Sequence, residues 1–234
     1  MKLRVVLNET DGRSLPVDVD FDQVVLVGYS GRDRDAVEAH IRELERLGVA
    51  PPPRVPALYT VAPSLVSLGG SLIVDHAETS GEAEFVLLQS EYGVLVGVGS
   101  DHTDRAHEAI DIAESKTLCS KLLSRDVWLL QTLEPHWDRL ELRAWTTDGR
   151  GRRLYQEGLL GTLLTPTQLV AEVQGAGLAS GQALIFSGTL PTLGGFAFGS
   201  RFEVELYDPV LDRRLACAYS VTVRASARGP RSAR

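Results

Sequence analysis

The residues of this sequence best suited to chemistry lie between Gly81 and Lys116. Glu82 and Glu84 open a run of strand formers. Alternate side chains of a strand share a face, so both carboxylates point the same way, ~7 Å apart along the chain. A second apolar run, Val94 to Val98, can return antiparallel through the polar Gln89 to Gly93 turn and bring Ser100-Asp101 back beside the two glutamates. Convergent carboxylates call for a cation, and hard oxygen ligands suit Mg²⁺, Mn²⁺ or Ca²⁺ with water completing the coordination sphere. The same residues admit plainer uses. Glu82 and Glu84 fit the wet face of an edge strand, and Asp101 fits the cap of a helix beginning near Thr103. His102 and His107, five residues apart, do not share a helical face and read as solvated side chains.

The elements that must position these groups belong to a chain of 234 residues, 44 % of them hydrophobic, which is enough to bury a substantial core without disulfides. A net charge of −7 disfavours nucleic acid or an anionic membrane as partner and leaves small molecules as the better fit. Met1 to Val19 has no apolar signal core and no run reaches the length of a membrane helix, so a cytoplasmic location is expected. Cys119 and Cys217 lack any paired spacing and read as reduced core residues.

Along the chain, Lys2 to Leu7 and Leu15 to Val27 read as strands turned at Asp11-Gly12. Asp33 to Leu47 changes to helical periodicity, with Val37, Ile41 and Leu44 on one stripe and Gly48 as the stop. His40 sits beside that stripe and is expected to be a partly buried helix residue rather than a catalyst. Pro51-Pro52-Pro53 forbids regular structure and leads into an extended Val55 to Leu68. Thr103 to Ser115 is weakly helical, Ser124 to Leu133 is strand-like, and Trp137 to Trp145 alternates as a half-buried strand turned at Asp148-Gly149. Thr165-Pro166-Thr167-Gln168 is a capping box with proline at the first helical position and Leu164 and Leu169 as its hydrophobic staple; the helix should end near Gln174. Ala183 to Phe186, Arg201 to Tyr207 and Leu215 to Val223 complete a strand-rich second half. Residues 224–234, rich in arginine and without acids, read as a disordered tail. This divides the chain into residues 1–50 (hairpin and helix), 51–223 (the strand-rich remainder) and the tail.

The order of parts, from Pro56-Ala57-Leu58-Tyr59 through the Glu-x-Glu strand, Gly-Ser-Asp-His-Thr-Asp-Arg, Ser115-Lys116 and the capped helix to Gly-Leu-Ala-Ser-Gly-Gln-Ala-Leu-Ile-Phe-Ser-Gly-Thr-Leu-Pro, resembles the fumarylacetoacetate hydrolase superfamily over about Val55 to Val221. The resemblance implies a mainly β, mixed α+β fold, a β-roll with a few short helices, dimeric and holding one divalent ion, Mg²⁺ before Mn²⁺ or Ca²⁺. By position, Glu82, Glu84 and Asp101 match its metal ligands, and Arg105 matches an arginine of the same motif. Lys116 matches the lysine that stabilises negative charge on substrate or intermediate, with Lys121 as its competitor, and Thr189 matches the threonine that meets the substrate. The family's hydrolases also carry a water-activating histidine, paired with a glutamate. The corresponding Gly28-Tyr29-Ser30-Gly31-Arg32-Asp33 has none. The intervals from Glu84 to Asp101 and from Asp101 to Lys116 are shorter than the family's. The function implied is a metal-dependent hydrolase or lyase acting on a small 2-oxo or 1,3-dicarbonyl acid by C–C hydrolysis, decarboxylation, hydration or tautomerisation through a stabilised enolate. The missing histidine favours the non-hydrolytic reactions. The alternative is a non-catalytic binding or scaffold protein of the same fold.

Overall fold

A computed structural model describes residues 1–46, 50–178 and 183–225; Gly48, the Leu44 side chain, Ala179 to Gln182 and the tail from Ser226 lie outside them. In chain order the elements are β1 (Lys2–Asn8), β2 (Ser14–Asp20), β3 (Gln23–Gly28), α1 (Arg34–Arg46), β4 (Ala57–Val61), β5 (Val66–Leu68), β6 (Gly70–Val74), β7 (Thr79–Ser80), β8 (Ala83–Ser90), β9 (Gly93–Asp101), β10 (Thr103–Asp104), α2 (Arg105–Glu108), α3 (Ile112–Ser115), β11 (Lys121–Leu123) and β12 (Asp126–Leu129). β13 (Glu141–Asp148), β14 (Gly151–Leu159), α4 (Pro166–Gly175), β15 (Ala183–Phe186), β16 (Arg201–Asp208) and β17 (Arg213–Val223) follow. They form a ten-stranded sheet ordered β2-β1-β12-β9-β8-β15-β3-β4, to which β11 is joined through β9 and β5 through β11. A five-stranded sheet runs β14-β13-β16-β17-β6, and β7 and β10 make a small ladder.

β8 shows why the large sheet is apolar on both faces. Ala83, Phe85 and Leu87 enter the core between the two sheets, where they meet Leu142, Phe202 and Val204. Val86 and Leu88 enter a second core with Val5, Val19, Leu26 and Phe186, all from the large sheet. A strand buried on both sides cannot alternate polar and apolar residues, so β8 and β9 read as continuous hydrophobic runs. The opening hairpin forms as expected, but Leu15 to Val27 is two strands, and β3 lies deep in the large sheet between β15 and β4. Trp137 belongs to a 3₁₀ turn, Glu134–Arg139, and the half-buried strand starts at Glu141.

The α4 capping box is complete: Gln168 N–H donates to Thr165 Oγ1, and Thr165 N–H donates back to Gln168 Oε1. Both staple residues, Leu164 and Leu169, are buried. α1 is exposed along most of its length, and His40 with it; the expected partial burial fails because its side of the helix faces solvent, leaving its side chain 59 % exposed. Cys119 and Cys217 are buried and free. Among the described residues no helix is long and apolar enough to cross a membrane.

Candidate active site

Strand register builds the site. β8 and β9 pair antiparallel with Ala83 opposite Ser100 and Glu84 opposite Gly99, and one step further Asp101 N–H bonds the Glu82 carbonyl at 3.0 Å. On the other side of β9, β11 pairs Lys121 with Asp101. Directly opposed residues project from the same face, so Glu82, Asp101 and Lys121 stand in a row across three chain segments. Glu84 lies two residues along the same face, in line with Val86 and Leu88 at the rim of the second core. One oxygen from each of Glu82, Glu84 and Asp101 lies within 4.8 Å of the others. β8 is an interior strand and Glu84 is only 2 % exposed, so the pair is not the wet face of a sheet edge.

Cations crowd the acids. The Lys116 ammonium donates to Glu82 Oε2 at 2.6 Å and approaches Asp101 Oδ2 at 2.8 Å, and Lys121 approaches Asp101 Oδ1 at 2.5 Å. Arg105 lies 3.0 Å from Glu82 Oε1 and 2.7 Å from Glu108 Oε2, donates to Ser80 Oγ, and lies over the Phe196 ring at 4.3 Å. Its Nη2 is buried without a hydrogen-bond partner. Burial works to raise the Glu82 and Asp101 carboxyls, but Lys116 with Arg105, and Lys116 with Lys121, outweigh it and hold both below the usual range. Glu84 receives one backbone donor, the Gly188 N–H at 2.9 Å, and burial followed by repulsion from Asp101 and Glu82 drives its carboxyl well upward. Tyr29 and Tyr59 border the acids; burial raises both phenols, Tyr59 to about 12.

Two expectations are corrected. Asp101 caps nothing: the helix begins at Arg105 and its cap is Asp104, whose carboxylate accepts from His107 N–H. His102 is not solvated. It follows the last residue of β9 and is fully buried on the opposite face, with Nδ1 2.9 Å from Tyr219 Oη and Nε2 2.9 Å from Thr79 Oγ1, and burial then Lys121 push its pKa down to about 3. The Thr189 hydroxyl donates to the Ala83 carbonyl at 2.9 Å and accepts from Gln156 Nε2 at 2.7 Å. His107, in contrast, is partly exposed beside Glu114.

Sequence reasoning passed over Tyr155 and Gln156, consecutive residues that both face inward. A bulge between Ala144 and Trp145 in the β13–β14 ladder permits this by re-aiming one residue. Gln156 then accepts from Ala83 N–H and donates to Thr189, tying β8 to the Gly188 loop. On α1, the His40 ring lies 6.4 Å from that of Tyr29, with Nδ1 3.7 Å from Glu43 Oε2. A His-x-x-Glu spacing on a helix was the signal available for that pair.

The described residues place a carboxylate triad on a strand pair of a mainly β fold with few helices. The fold is that of the fumarylacetoacetate hydrolase superfamily. The chain is similar to Cg1458 with inhibitor (16 % identity, TM-score 0.63, covering 91 % of this chain and 84 % of that one). It is likewise similar to 2-keto-3-deoxy-D-arabinonate dehydratase complexed with magnesium and 2,5-dioxopentanoate (14 %, TM-score 0.59, 90 % and 77 %). A third similar structure is 4-oxalocrotonate decarboxylase from Pseudomonas putida G7, complexed with calcium and acetate (13 %, TM-score 0.56, 87 % and 78 %). No curated protein matches the chain. Residues 27–219 match the family described as protein of unknown function DUF2848, and the chain belongs to that family.

Proposed function

We propose that the protein is a divalent-metal-dependent enzyme acting on a small 2-oxo acid through an enolate. The observation that carries this reading is the approach of the Glu82, Glu84 and Asp101 oxygens to within 4.8 Å of one another. Oxygen ligands around one Mg²⁺ or Ca²⁺, at ~2.0–2.6 Å from the ion, lie up to about twice that distance apart, so the triad fits such an ion. The ion would supply Lewis acidity to a chelated 2-oxo carboxylate. The chain's own groups do the rest. Lys116 and Lys121 place positive charge beside the position where an enolate oxygen develops. Arg105, whose Nη2 has a buried donor to spare, takes a carboxylate oxygen of the substrate. Gln156 and Thr189 fix the Gly188 loop behind Glu84. Charge supports a monoanionic substrate: with Glu108, four acids face three cations, so a divalent ion leaves the site one charge positive. The dehydratase and the decarboxylase similar in fold are both named for 2-oxo acids.

A second reading, hydrolysis, rests on His40 and Glu43 beside Tyr29, a histidine paired with a glutamate that would replace the missing one. The test is calorimetric titration of Mg²⁺ and Mn²⁺ into wild type and the Glu82→Ala/Glu84→Ala variant, with a 2-oxo acid panel monitored for loss of absorbance. Binding and turnover lost together in the variant support the enzyme; equal metal affinity in both proteins refutes it. Turnover that survives His40→Ala excludes the hydrolytic reading.

A further inference from the structure

The Lys116 ammonium spans the two carboxylates that a metal would also have to share. Its three N–H groups have three acceptors: Glu82 Oε2 at 2.6 Å, Asp101 Oδ2 at 2.8 Å and Thr103 Oγ1 at 3.1 Å. The side chain is 8 % exposed, held at the C-terminal end of α3. All four oxygens of Glu82 and Asp101 face a cationic nitrogen: Glu82 Oε1 meets Arg105, Asp101 Oδ1 meets Lys121, and the remaining two meet Lys116. Arg105 and Lys121 approach from the flanks, through separate oxygens. Lys116 alone bridges the pair.

A divalent ion held by Glu82, Glu84 and Asp101 would draw on the same two carboxylates that the ammonium now bridges. The ammonium cannot stay in place beside the ion, because at ~3 Å in a buried setting its repulsion by a divalent charge exceeds what it gains from one carboxylate. We propose that Lys116 is a tethered counter-cation: it neutralises Glu82 and Asp101 while no metal is bound, and a divalent ion must displace it to complete the triad. This rests on the metal-dependent reading above and deepens it, since the ammonium that leaves the carboxylates is the one then available to the substrate. Thr103 Oγ1 already accepts from the ammonium, and Glu108 is near enough for its charge to act on it. The exchange keeps the buried acids neutralised at every stage, which bare carboxylates in this position would not be.

The test compares wild type with Lys116→Met by Mn²⁺ calorimetry and by thermal unfolding with and without Mn²⁺. Removing the competitor should tighten Mn²⁺ binding at least tenfold, while the metal-free variant unfolds at a lower temperature than wild type and Mn²⁺ restores the difference. A merely structural lysine would cost stability and leave Mn²⁺ affinity unchanged or weaker; that result overturns the proposal and, if wild type binds Mn²⁺, leaves the metal-dependent reading standing. Binding by Lys116→Met alone would support the exclusion of metal by lysine and overturn the metal dependence of the natural protein. Binding by neither overturns both. Should the variant not fold, acetylation of lysines in wild type, followed by mass spectrometry, gives the same answer: modification of Lys116 should rise at least severalfold on adding Mn²⁺, and an unchanged extent overturns displacement.

Discussion

Replacing His102 by glutamine should flatten the protein's acid sensitivity, and the size of the effect follows from the burial of one ring. In the folded protein the imidazole is held neutral between Tyr219 and Thr79, with its pKa pushed down to about 3 by burial and then by Lys121, against 6.5 for an ordinary histidine. A folded pKa below the unfolded one means that the contribution to stability is whole above about pH 6.5 and declines as the pH falls toward 3, because the unfolded chain accepts a proton that the fold refuses. Each pH unit in that window costs about 1.4 kcal/mol, so by pH 5 the loss from this residue is about 2 kcal/mol. In a chain of this size that is a fall of roughly 4–8 °C in unfolding temperature. Urea unfolding of wild type and His102→Gln at pH 7.5 and 5.0 isolates the residue from other titrating groups: the stability gap between the two proteins should shrink by about 2 kcal/mol at the lower pH. A gap of constant size would refute the reasoning, as would a His102 imidazole resonance that titrates near pH 6.5.

Asp101→Ala should cost about 3–5 kcal/mol in metal-free urea unfolding, since it strips a shared counter-charge from two buried ammoniums; a loss below about 1 kcal/mol would contradict the pairing. Gly188→Ala should lower the unfolding temperature sharply, because the residue sits at φ +85° and a Cβ there would lie 2.2 Å from Ser30 Oγ and 2.5 Å from the Val27 carbonyl oxygen. An unchanged melting curve would show that the loop can yield. Thr165→Ala should cost about 1 kcal/mol by removing the α4 cap, read as a shift of a few degrees in calorimetry.

The acids were legible because everything that brings them together is local: strand period places Glu82 with Glu84, and an apolar hairpin returns Asp101 to their side. The α4 cap was legible for the same reason. His102 was misread because a solvated turn and a strand end that plunges between two sheets carry the same short polar string, and only Tyr219, more than a hundred residues away, decides between them. Lys116 and Lys121 could not be ranked from spacing, and the structure places both on Asp101. Tyr155 and Gln156 were hidden by a bulge, which breaks the alternation on which strand reading depends. The approach of His40 to Tyr29 depends on where α1 lies, a long-range matter on which the Asp33 to Leu47 periodicity is silent.

The β8–β9 hairpin carries its acids at the open end and turns at Ser90 to Gly93, where Glu91 and Tyr92 are exposed. Seven residues of strand from Glu84 to Glu91 span ~23 Å. That distance makes the tip a natural attachment point: a reporter dye or an inserted peptide tag there would report on the folded chain without entering the chemistry at the other end.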